Sequence, residues 1–165
     1  MILGMSLALF TQIHVALSLI GLGSGFLVAF GMLRSRTFPF ATAVFLLTTE
    51  LTSITGFLFP FKGITPGIVF GFLSFFALLV AVFARYSGHM QGPWRKAWII
   101  SSMLAQYLNF FVFIVQSFDK APTLHAMGDM QKETAFAAAQ LTALIAMLLF
   151  TILALRRFHP AVEAA

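Results

Sequence analysis

Apolar runs of about twenty residues recur along this chain, and every lysine and arginine sits at or beyond their ends. A hydrocarbon core of about 30 Å takes about 20 apolar residues as a helix. Core helices of a soluble domain are shorter, so runs of this length constrain the fold more than any other feature. Composition agrees: 60% of residues are hydrophobic and 9% charged, against about 25% charged in a soluble domain. The reading is an all-α polytopic membrane protein, a bundle of five transmembrane helices forming one membrane domain over residues 1–165.

The spans are read at about 12–33, 38–60, 66–86, 94–118 and 134–156, with one long loop over 119–133. Thr65-Pro66 marks a helix start, a capping hydroxyl followed by proline at the first helical position. All six prolines fall at or beyond span ends, where none kinks a helix interior. The opening segment, MILGMSLALFTQIH, lacks a positive leader region and reads as part of the first span, not as a removed signal.

The bases set a direction. Arg34, Arg36, Arg85, Arg95, Lys96, Arg156 and Arg157 fall on one side of the membrane, and Lys62, Lys120 and Lys132 on the other. The rule that basic loops stay in the cytoplasm then predicts the N-terminus outside and the C-terminus inside, in a bacterial inner membrane. The net charge of +5 is thereby explained by topology, and nucleic acid is not an expected partner. Trp94 and Trp98 are expected as anchors at the inner interface. With no cysteine, disulfides and thiolate metal sites are excluded.

Helical spacing predicts which faces turn inward. His14, Ser18, Gly21 and Gly25 share one face of the first span, and the GxxxG pair admits close approach of another backbone. Gly67, Gly71, Ser74, Ala77 and Ala81 form a second small-residue stripe. Ser102, Gln106, Asn109, Phe113 and Gln116 form a polar stripe on the fourth span. Lipid offers such groups no partner, so they face protein or a water-filled cavity. The GLGSG at Gly21 lies inside a span with no strand before it and is not a nucleotide loop.

Glu50 stands near the middle of the second run and is the one acid deep inside a span. Charging a carboxyl there costs about 2.5–3.5 kcal/mol, by analogy with aspartate insertion. Ionisable groups at such depth carry protons or ligands, or are held by neighbouring helices. Glu50, Gln106 and Asn109 are the expected floor of an outward-facing polar pocket, with His14 and Gln140 at its rim. The ligand classes that suit it are a quinone or haem b. A haem held by two histidines needs His14 opposite His125, because His89 and His159 lie at the other side. His14, His125 and Asp129 are also candidate ligands of a transition metal, with Met127 and Met130 nearby. The plainer readings are interhelical hydrogen bonds for the amides and a solvated surface helix for the loop.

LTSITGFLFPF at Leu51–Phe61 and YLNFFVFIVQSFDKAPTL at Tyr107–Leu124 resemble segments of small bacterial five-span membrane proteins. That resemblance implies the same multi-pass setting and assigns no activity and no residue role. The expected function is a non-catalytic or redox-accessory membrane protein that binds a small apolar ligand. A proton-coupled carrier using Glu50 and a purely structural subunit are the alternatives. Partners, besides the bilayer, are other membrane subunits or further copies of this chain.

Overall fold

The computed structural model describes residues 1–60, 63, 65–125 and 128–160; the side chains of Pro66 and His125 also lie outside the description, as do Lys62 and Met127. The helices are α1 (Leu7–Leu33), α2 (Pro39–Phe57), α3 (Pro66–Val82), α4 (Pro93–Lys120), α5 (Pro122–His125) and α6 (Asp129–Arg157). A π-helical turn, Phe83–Ser87, continues α3. Five helices are long and apolar enough to cross a membrane.

Local chemistry sets the ends. The Ser6 hydroxyl accepts from the Leu9 N–H at 3.2 Å and starts α1 five residues earlier than the expected 12. Thr65 accepts from the Ile68 N–H, as the Thr-Pro start predicts. Pro39 and Pro93 sit in the first turns of α2 and α4, where a missing N–H costs nothing.

The loop expected over 119–133 is largely helical. α4 runs on to Lys120, α5 follows, and α6 begins at Asp129. An acid in the first turn complements the positive end of the helix dipole, so the polar segment DMQKE extends the helix outward.

The helices run up and down. α1 packs against α2, α4 and α6; α2 also packs on α3, and α4 on α3 and α6. One end gathers the α1–α2 turn, the π turn, the start of α4 and the C-terminal tail. There Arg95 donates to the carbonyls of Leu155 and Phe158 at 3.1 and 2.8 Å, and the His159 N–H donates to the Ser35 hydroxyl. Those residues bring the seven bases read as inner to one end. The opposite end carries Lys120 and Lys132 together with Asp119, Asp129 and Glu133. The core lies toward the arginine-rich end, around Met32, Phe45, Leu78, Ala81, Trp98 and Ile99.

Trp98 belongs to this core at 1% exposure, whereas Trp94 is 39% exposed. Of the expected pair of interfacial anchors, Trp98 is therefore a buried ring. It lies one turn further into the helix, beneath the π turn.

Candidate functional site

The small-residue face of α1 does what its spacing predicts, and does it against two helices at once. A Cβ on Gly21 would lie 2.6 Å from the Thr49 hydroxyl of α2. A Cβ on Gly25 would overlap the Gln106 Oε1 of α4 and lie 2.8 Å from the Phe45 ring of α2. Only glycine lets these side chains reach the α1 backbone.

What they reach is bonded. Gln106, fully buried, donates from Nε2 to the Leu22 carbonyl at 3.0 Å. One turn away, the Ser18 hydroxyl donates to Asn109 Oδ1 at 2.7 Å, and Asn109 Nδ2 returns a bond to the Ser18 carbonyl at 3.0 Å. Gln140 donates to the Phe111 carbonyl at 3.2 Å and ties α6 to α4. These amides form helix-to-helix seams, with Gln106 Oε1 and Gln140 Oε1 left without donors.

His14 is bonded too. Its Nδ1 lies 2.8 Å from the Thr55 hydroxyl, and that hydroxyl donates its one proton to the Leu51 carbonyl. With that proton on the Leu51 carbonyl, Thr55 accepts from Nδ1–H, and in this tautomer Nε2 is the lone-pair nitrogen. The ring packs edge-on against Phe59 at 5.2 Å.

Glu50 stands apart from this seam. Thr49 turns toward α1, and the next residue along a helix points about 100° away. Phe57, seven residues on and so on nearly the same face as Glu50, rests against Gly71 and Phe72 of α3. Glu50 accordingly shares the face of α2 that meets α3, not the polar stripe of α4. Its Oε2 is buried with no hydrogen-bond partner among the described residues. Of the two acid–base groups inside spans, His14 is bonded and Glu50 is not. The structure thus brings Gln106 and Asn109 together with α1 and His14 together with α2, and it gives Glu50 no bond to any of them.

The α4 stripe is inward only in part. Ser102, Gln106 and Asn109 are buried, while Phe113 and Gln116 are exposed. At their level α1 leans onto α2, through His14–Thr55 and the Phe10–Phe59 ring contact at 5.0 Å.

The metal reading turns on His125, whose side chain lies outside the described residues. α5 ends at His125 and Asp129 opens α6, so no single helix carries the two on one face. Among the described residues no three metal-ligating side chains gather. Asp129 instead lines a cleft of about 440 Å³ with Asp119, Glu133, Lys132 and two phenylalanines. His89, in the α3–α4 turn, and His159, in the tail, lie at the end of the bundle opposite His14.

No protein-family model matches this chain, and neither curated proteins nor solved structures yield a match. The five apolar helices are compatible with a multi-pass integral membrane protein.

Proposed function

We propose that this chain is a non-catalytic, ligand-binding protein of the bacterial inner membrane, with its N-terminus outside and its C-terminus in the cytoplasm. Glu50 is its working polar group. The fitting ligand is a small apolar molecule with a polar head, of the quinone class, whose carbonyl or hydroxyl pairs with the carboxyl at the α2–α3 face. Gln106, Asn109 and Gln140 hold the helices around that face in place. His14 sits toward the outer end with Nε2 free to meet a ligand, and its bond to Thr55 is of the kind that orients a ligating imidazole.

One observation carries the reading: the one acid deep inside a span has a buried carboxyl oxygen with no hydrogen-bond partner among the described residues. Gln106 and Asn109, by contrast, each donate across helices, even though Gln106 Oε1 and the Thr49 hydroxyl are also left open. An unpaired buried polar group costs about 1–3 kcal/mol, and an ionisable group kept inside a span at that cost points to a ligand or proton. The orientation is supported by the gathering of seven of the ten bases at one end.

The test is mass spectrometry of the small molecules that co-purify from native membranes. Wild type carries a polar-headed apolar ligand, Glu50→Leu loses it while remaining folded, and Glu50→Gln keeps part of it. Wild type free of ligand, or full retention by Glu50→Leu, overturns the reading. Proton flux into vesicles that Glu50→Gln abolishes, with no ligand on wild type, would establish the carrier instead.

A further inference from the structure

The arginine-rich end contains a place where buried donors lack acceptors. A pocket there is bounded by Val28 and Met32 of α1, Arg36 in the α1–α2 turn, Thr42 of α2, Arg85 of the π turn and Trp98 of α4. Phe158 of the tail closes it. Arg85 Nε and Trp98 Nε1 are both buried and have no hydrogen-bond partner among the described residues.

The surroundings hold Arg85 in this position. The π turn adds a residue to the helical repeat and re-aims the side chains that follow. The Arg85 guanidinium lies 5.4 Å from the centre of the Trp98 ring, and one terminal nitrogen reaches the Met90 sulfur at 3.4 Å. A thioether is a weak acceptor and a ring face is neutral, so neither balances the charge. Among the described residues every acid other than Glu50 lies at the far end of the bundle. A half-buried guanidinium is costly unless an anion completes it. Arg85 has no carboxylate partner among the described residues, which leave out Glu163 and the C-terminus.

The free space is about 10 Å³, room for one water-sized atom and not for a whole oxyanion. An oxyanion fits by seating one oxygen inside, where Arg85 and Trp98 lack an acceptor. The rest of the group stays at the mouth beside the exposed Arg36. Basic pockets between helix ends are where anionic headgroups dock.

We propose that this pocket binds a phosphate group, seated between Arg85, Trp98 and Arg36 and supplied by an anionic phospholipid headgroup or by free phosphate. The experiment uses the full chain in detergent. Native mass spectrometry measures retention of phosphatidylglycerol against phosphatidylcholine, and thermal unfolding is followed with and without inorganic phosphate. A phospholipid source predicts at least a tenfold preference for phosphatidylglycerol with no shift from phosphate. A free-phosphate source predicts a higher unfolding temperature in millimolar phosphate, together with displacement of phosphatidylglycerol.

Trp98→Phe removes the indole N–H and Arg85→Gln removes the guanidinium charge with its Nε–H, and each is expected to lower the effect roughly tenfold or more, the loss of a charge-assisted bond. Trp98→Phe keeps an aromatic ring in place, and helical circular dichroism checks that each variant is folded. Arg156→Gln, outside the pocket, leaves binding unchanged. Equal retention of the two lipids with no phosphate effect overturns the proposal and leaves a buried water as the only occupant. So does a preference that survives both pocket variants, or one that Arg156→Gln reduces as much as they do.

Discussion

Replacing Gly25 by alanine tests the seam between α1, α2 and α4 at its tightest point. The new Cβ would overlap Gln106 Oε1, lie 2.6 Å from Gln106 Cδ and 2.8 Å from the Phe45 ring. Gln106 and Phe45 are both fully buried, so neither has open space to move into. Overpacking of this kind costs about 1–3 kcal/mol. Displacing the amide also loses its bond to the Leu22 carbonyl, worth about 0.6–1.7 kcal/mol between membrane helices. Alanine returns up to about 1 kcal/mol of helix propensity. The net expectation is a loss of about 1–4 kcal/mol. Gly23→Ala is the internal control, two residues away on the same helix with nothing within 4 Å of its Cβ. It gains the propensity and meets no clash, so it is neutral or slightly stabilising. Unfolding by denaturing detergent, titrated into mixed micelles and followed by circular dichroism, measures both. Shrinking the obstacle with Gln106→Ala should recover part of the Gly25→Ala loss. Equal stabilities for Gly25→Ala and Gly23→Ala would refute the packing argument.

Other perturbations separate the remaining roles. Asn109→Leu removes both bonds to Ser18 and is expected to cost about 1–3 kcal/mol in the same titration, whereas Glu50→Leu, which breaks no bond, is expected to be neutral or stabilising. Arg95→Ala frees the carbonyls of Leu155 and Phe158; limited proteolysis should then cut the C-terminal tail faster than in wild type, and an unchanged rate would show that the tail is held by packing alone. A reporter active only outside the cytoplasm should work when inserted within 119–133 and fail after Arg36 or at the C-terminus, and the reverse pattern would overturn the orientation.

Much of this architecture is legible in residue spacing, and the places where it is not have physical causes. The α1 face of His14, Ser18, Gly21 and Gly25 is readable because small and polar residues recur at the helical period, and every one of these residues makes a contact across helices. The α3 stripe is readable for the same reason, with Ser74, Ala77 and Ala81 buried. The direction of Glu50 is harder to read, since adjacent positions point about 100° apart and Thr49, not Glu50, meets α1. The α4 residues Phe113 and Gln116 keep the period but are exposed, which spacing within one helix cannot reveal. The start of α6 hides in a polar segment that resembles a loop until the preference of a helix N-terminus for Asp129 is weighed. The Arg85–Trp98 pairing depends on a π turn that shifts the helical register, and no residue pattern here announces it.

The central claim is that Glu50 has no partner within the bundle and acquires one from a ligand. Isotope-edited infrared spectroscopy addresses it directly, because the carboxyl stretch of a single labelled residue reports whether it is hydrogen-bonded. Delipidated protein should show a Glu50 band typical of a carboxyl free of hydrogen bonds. Adding back the extract of native membranes should move that band to the bonded position, in Gln140→Leu as well as in wild type. A Glu50 band already in the bonded position before any extract is added, and unmoved afterwards, would contradict the account.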